Sequence, residues 1–285
     1  MGRTLAAVRR NLGNRNLVVG SIILFLFLLV SIFGPALAPM DPLSTNIGNT
    51  LKPPSSEHWL GTDRYGRDIY SRLLYGARTS LIVGASVVTL SLIGGVLLGT
   101  VAGYFGRGVD RALSFVIDSL LAFPGFLLAL ALVAVAGSNI RSIIIAVSIA
   151  YVPRIAVVMR AVVQSVRNNP YIDAARASGV GQAGIILRHV LPNSLPPVIV
   201  VATVSAALAI LAEAGLSFLG LGVQPPQPTW GNIIRDGLPY IVSQPWISLF
   251  GGLAVAISVI GLNLLGDGLR DLLDPHMQQA TKMVE

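Results

Sequence analysis

Long stretches of this chain carry no charge at all. Residues 16–40 and 79–106 are two of them. A helix needs about 20 apolar residues to cross roughly 30 Å of hydrocarbon. Helices and closed barrels are the only backbone forms that satisfy their own hydrogen bonds there. The first run contains Leu17-Val18-Val19 and then a nearly pure Ile/Leu/Phe block through Val30. Further apolar runs lie at 113–136, interrupted by Asp118, and at 143–159, with Pro153-Arg154 near the far end. Two more lie at 196–219, with Glu213 near its end, and at 246–265. The pattern predicts an all-α membrane protein with six transmembrane helices.

Composition narrows the choice further. Hydrophobic residues make up 53% of the chain and charged residues 12%, against roughly 25% charged in a soluble domain. A disordered tail, a coiled coil and an ordinary cytosolic enzyme are excluded, and the lack of cysteine excludes a disulfide scaffold. Ala36-Leu37-Ala38 has the small-x-small look of a signal cleavage site, but the apolar run before it exceeds the roughly 7–15 residues of a signal core. It is read as a span. The net charge of +7 can mean nucleic acid. Here the basic residues flank the spans, where they meet lipid headgroups, so the expected partner is the bilayer and not a nucleic acid.

Six spans put both termini on one side. Arg3, Arg9, Arg10 and Arg15 precede the first span with no acid among them, and the positive-inside rule places that tail in the cytoplasm. The chain then divides into a cytoplasmic tail at 1–15, a six-span domain at 16–275 and a cytoplasmic tail at 276–285, in a cell (inner) membrane. Three polar segments are long enough to carry function: an outer loop at 40–77, an inner segment at 160–195 and an outer loop at 220–245.

Chemistry of its own is hard to find. The two lysines are Lys52, followed by Pro53, and Lys282, followed by Met283. Neither fits a phosphate-binding G-x-x-x-x-G-K-[ST] loop. His58, His189 and His276 are far apart and lack zinc-site spacing, and no G-x-S-x-G elbow occurs. The chain is read as no enzyme and as holding no cofactor or metal. Uphill transport would draw energy from a partner chain or an ion gradient.

The inner segment is punctuated by helix signals. Asn169 is placed to cap a helix and Pro170 suits its first position. Asp173 complements the helix dipole, and Gly179 is placed to end the helix in a left-handed turn. Ile185, Ile186, His189 and Val190 form a second short amphipathic stretch, closed by Leu191-Pro192. From the residues alone, the segment is either a docking element or a loop lying on the membrane surface.

Asp173-Ala174-Ala175, Gly179 after three more residues, and Leu191-Pro192 resemble the E-A-A-x-x-x-G-(x)9-I-x-L-P signature of ABC importer permeases. Asp173 stands for the Glu and His189 for the Ile. The resemblance implies a coupling segment seated in a cleft of an ATP-hydrolysing subunit, comprising Pro170, Tyr171, Asp173, Ala174, Ala175, Arg176, Gly179, His189, Leu191 and Pro192. Residues 61–81 are similar to the G-T-D-x-x-G-R-D-x-x-S-R-L-x-x-G-A-R-x-S-L pattern of the peptide/nickel branch. Within them Ile69, Leu73 and Leu74 recur at helical spacing, as in an interfacial helix feeding the second span. Pro228-Thr229-Trp230-Gly231, Asp236-Gly237, Pro245-Trp246 and residues 263–275 resemble the C-type subunit of dipeptide and oligopeptide permeases.

Together these patterns reach from about 16 to 275. They imply a MetI-like type I ABC importer permease fold, a homologous second permease subunit and two ATP-binding subunits or domains that hold ATP and Mg. They also imply an extracytoplasmic substrate-binding protein and a peptide cargo, with nickel chelates, haem or glycosides as the alternatives within the branch. An ion-coupled secondary transporter and a membrane scaffold are the rivals outside it.

Several residues inside or beside the spans stand out. Asp118 and Arg154 fall at similar depths, roughly 10 Å from the cytoplasmic side at 1.5 Å per residue. A lone charge in hydrocarbon costs at least about 2.5 kcal/mol, so an Asp118–Arg154 pair is expected, with a snorkelling Arg154 and a water-facing Asp118 as the alternative. Asp63, Arg64, Arg67, Asp68, Glu213 and Trp230 are the outer-loop and gate candidates. Gly95, Gly99 and Gly103 repeat every four residues and make a face on which another helix can approach closely.

Overall fold

The computed structural model describes residues 14–273. The tail arginines Arg3, Arg9 and Arg10 and the tail at 276–285 lie outside the described residues. The helices are α1 (Arg15–Leu37), α2 (Ile69–Phe105), α3 (Arg107–Leu121), α4 (Gly125–Ala136), α5 (Ile140–Val166), α6 (Pro170–Ala177), α7 (Gln182–Ile185), α8 (Leu191–Phe218), α9 (Trp230–Gly237) and α10 (Trp246–Leu273). A π-helical turn, Ile186–Val190, joins α7 to α8. Among the described residues five stretches are long and apolar enough to cross a membrane: α1, α2, α5, the continuous run from α7 through α8, and α10.

The third span is not the single straight helix that its apolar run predicts. It is the pair α3 and α4, bent by 87°. Pro124 stands just before α4 with extended backbone. Proline removes a helix donor and pushes the preceding residue, Phe123, away from helical geometry. A second difference lies at Leu191-Pro192, which does not close a helix but opens α8. Pro192 lacks an N–H, and its ring would crowd the Arg188 carbonyl in an unbroken α-helix. The π turn sits at that point and widens the coil.

Packing fixes the direction of each crossing. A Cβ on Gly95 would lie 2.6 Å from Ile155, one on Gly99 would lie 2.5 Å from the Ala156 carbonyl, and one on Gly103 would lie 2.9 Å from Val163. Contacts that rise together along both helices mean that α2 and α5 run parallel, backbone close against backbone. Ser148 Oγ donates to the Val87 carbonyl further along the same seam. Residues 106–139 must therefore return the chain across the bilayer, so the bent pair serves as one span and the crossings among the described residues number six.

The other seams are antiparallel. Gly20 abuts Leu265 while Gly268 abuts Leu17, and Gly84 abuts Ile210 while Ser80 meets Glu213. Arg15, Val166 and Leu273 consequently lie on one side, which we call the elbow side. The loops at 38–68 and 219–245 lie on the other, the platform side.

Candidate functional site

The elbow side carries the segment between α5 and α8. Arg167 caps α5, and its Nη1 donates to the Gly103 carbonyl at 2.7 Å and to the Tyr104 carbonyl at 3.1 Å, locking the ends of α2 and α5 together. Asn169 precedes α6 in extended conformation, but its side chain does not cap the helix. It donates back to the Val166 carbonyl at 3.1 Å. Proline at the first position of α6 removes one of the donors that would need a cap. Gly179 ends the element at φ +81°, with Val180 N–H bonded to the Ala175 carbonyl. Nothing lies within 4 Å of a Cβ built there, so backbone conformation and not space demands glycine.

Anchoring is apolar. Ile172, Ile185 and Val190 are fully buried in one cluster with Met159 and Val163 of α5 and Val198 of α8. The opposite face is open: Tyr171, Asp173, Ala174 and Arg176 are exposed, and Asp173 pairs with Arg176 at 3.1 Å. His189 and Leu191 are half-buried and Pro192 is exposed. The result is a short helix with a polar outer surface, held by Ile172 in a cluster shared with α5, with the start of the α7–α8 run and with Tyr104 of α2.

The platform side is held by buried charge. Gly66 (φ +71°) turns the loop so that Asp63 Oδ1 accepts from the Tyr65 and Arg67 N–H groups. Asp63 Oδ2 accepts from Arg67 Nε at 2.6 Å, with Arg72 Nε at 3.6 Å. Arg67 Nη2 reaches Asp236 Oδ2 of α9 at 2.9 Å, Arg72 Nη2 reaches it at 3.4 Å, and Arg64 stands 3.7 Å from Oδ1. Asp68 caps α2 through the Ser71 N–H and holds the His58 ring at 3.0 Å. Asp63, Asp68, Arg67, Arg72 and His58 are all buried.

Glu213 forms a second node. Its side chain is fully buried and accepts from Ser80 Oγ at 3.0 Å and Ser217 Oγ at 2.8 Å. Ser80 Oγ also accepts from the Trp230 N–H, and Ser217 Oγ from the Val223 N–H. Trp230, buried, donates from its indole to the Leu73 carbonyl and meets the Phe27 ring edge-on. One carboxylate thus joins α2, α8 and the start of α9.

Asp118 and Arg154 are not brought together. Both are exposed, and neither appears among the ion pairs of the described residues. The bend at Pro124 undoes the depth argument, which assumed a straight third span. The pair that ties α3 to α5 is Asp110–Arg160, with Nη2 to Oδ2 at 2.9 Å and Gln164 Nε2 on the same carboxylate at 3.1 Å. Sequence reasoning missed Asp110 and Arg160 because both sit at span ends, where charge is unremarked. It also missed the roles of His58, Ser80, Ser217 and Asp236, whose partners are distant in sequence. Among the described residues no three metal-ligating side chains cluster.

Comparison with known proteins shows the family and the fold. Residues 95–279 match the family described as binding-protein-dependent transport system inner membrane component, and residues 5–54 match the N-terminal TM domain of oligopeptide transport permease C. The chain is 47% identical to the dipeptide transport system permease protein DppC of Alkalihalophilus pseudofirmus, covering 93% of this chain and 87% of that one. It is 37% identical to the oligopeptide transport system permease protein OppC of Bacillus subtilis, covering 96% and 90%. Among solved structures, an inward-facing form of the MetNI methionine ABC transporter matches with a TM-score of 0.59 at 18% identity, over 71% of this chain and 96% of that one. The chain belongs to the family of binding-protein-dependent transport system inner membrane components, in its dipeptide and oligopeptide permease C branch.

Proposed function

We propose that this chain is one of two homologous permease subunits of an ATP-driven importer of short peptides, with its elbow side in the cytoplasm. The peptide cargo follows the relatives, whose names specify dipeptide, di/tripeptide and oligopeptide transport. The orientation follows the basic, acid-free tail before α1. One of two ATP-binding subunits takes the polar face of α6, the other engages the second permease, and an extracytoplasmic binding protein delivers cargo to the platform side.

The observation that carries the reading is the shared core of Ile172, Ile185 and Val190 with Met159, Val163 and Val198. A partner that pushes on α6 pushes through these side chains on α5 and α8. The Asp63–Asp236 cluster and the Glu213 node hold the platform end as one block, so displacement of the elbow rocks the helices as a body.

The test uses the assembled importer in liposomes with its binding protein and a labelled dipeptide. Ile172→Ala removes packed volume at a cost of about 2–5 kcal/mol and loosens the elbow. Continued ATP hydrolysis with dipeptide uptake reduced at least tenfold supports the reading. Uptake at the unaltered rate, or uptake by the permeases without ATPase subunits, contradicts it.

A further inference from the structure

A groove of about 460 Å³ opens between α5, α8 and α10 near the elbow side, lined by Arg154 and Val158, by Pro196, Val200 and Val204, and by Arg270. Its polar content is two guanidinium groups. Among the described residues neither makes an ion pair or a side-chain hydrogen bond, and none of the residues lining the groove is an acid. Arg270 stands in the last turn of α10. The remaining walls are aliphatic. The groove follows the face of α8 that carries Pro196, Val200 and Val204, whereas Val198 points into the core with Met159 and Val163.

Two cations without a counter-charge among the described residues call for an anion. A small soluble anion would leave the valine and proline walls wet, whereas an amphiphilic one covers them. Basic pockets between spans hold anionic headgroups, because the charge sits at headgroup level while the walls continue into the hydrocarbon. Arg154 lies deeper than Arg270, but its long side chain can extend toward the interface.

We propose that this groove seats one anionic phospholipid of the elbow-side leaflet, its phosphate between Arg154 and Arg270 and its acyl chains along Val158, Val200 and Val204. The proposal needs membrane insertion of the chain and is independent of which cargo is carried.

The assembled importer is reconstituted in phosphatidylcholine vesicles containing a trace of photoreactive phosphatidylglycerol, and the labelled peptides are identified by mass spectrometry. Label is expected on the segment around Pro196–Val204. It falls about fivefold for Arg154→Gln or Arg270→Gln and about thirtyfold for both, at about 1 kcal/mol per arginine. The double Arg→Lys variant keeps the label. Val200→Trp, which fills the groove and leaves both arginines, loses it. Equal labelling by photoreactive phosphatidylcholine, no loss in the Gln or Trp variants, displacement of the probe by a dipeptide, or a cross-link to the second permease in its place would each overturn the proposal.

Discussion

Arg67 and Asp236 are 169 positions apart and meet at 2.9 Å between Nη2 and Oδ2. The contact joins the loop before α2 to the short helix α9, and Arg72 and Arg64 converge on the same carboxylate. Removing one partner of a buried pair leaves the other charge uncompensated in a low-dielectric setting, which costs about 3–5 kcal/mol. Here the carboxylate keeps some contact with water, so the lower end applies. Asp236→Asn is expected to destabilise the folded subunit by about 3 kcal/mol, seen as a lowered thermal midpoint in detergent. Arg64→Gln, which removes the longest and most exposed of the three contacts, is expected to cost under about 1 kcal/mol. Equal effects of the two substitutions would contradict the cluster as described.

The seam between α2 and α5 is specified by absent side chains. A Cβ at position 99 would stand 2.5 Å from the Ala156 carbonyl and 2.6 Å from Met159 Cβ. Gly99→Val is therefore expected to force the helices apart, at about 1–3 kcal/mol or more, and to reduce the yield of monodisperse subunit on size exclusion. Gly108, with nothing within 4 Å of a Cβ, provides the control: Gly108→Ala should leave the yield unchanged.

Charge pairing near the elbow side separates two alternatives. Asp110 and Arg160 share two hydrogen bonds, whereas Asp118 and Arg154 share none. Double-mutant cycles should give a coupling energy of about 0.5–3 kcal/mol for Asp110→Asn with Arg160→Gln. The cycle of Asp118→Asn with Arg154→Gln should be additive. Thermal midpoints of the purified complex supply the readout, and coupling in the second cycle would restore the pairing expected from span depth.

These cases mark what the residues disclosed before any coordinates. Six crossings were legible because uncharged runs are dictated by hydrocarbon thickness. The α6 boundaries were legible because Pro170 and Gly179 act on their own backbone. The 87° bend was visible only as Phe123-Pro124 within an apolar run, and proline inside spans is often absorbed: Pro153 sits within α5 without breaking it. The Asp236 cluster could not be read, since no local rule links a carboxylate to arginines more than 160 positions away. Glu213 was recognisable as an unusual buried acid, but its partner Ser80 is one of many serines with no distinguishing neighbours. The π turn before Pro192 follows from a clash that exists only once the helix is known to continue.

Gly179 tests the elbow's backbone apart from its surface. Any residue with a Cβ meets strain at φ +81°, costing about 1–2 kcal/mol, although space is free. Gly179→Ala is expected to slow dipeptide uptake by the assembled importer several-fold, and Gly179→Asn, better tolerated in the left-handed region, to slow it less. The reverse ranking would show that the turn is not what glycine serves there.

The central claim is that α6 is the seat of an ATP-hydrolysing partner, and the chain has no cysteine of its own, so one introduced thiol reports without background. Ala174→Cys, on the exposed face of α6, should cross-link to a cysteine placed in the ATPase subunit's surface groove within the assembled importer. Uptake should stop on oxidation and return on reduction. Absence of any cross-link to an ATPase subunit in an importer that is transporting peptide would contradict the account.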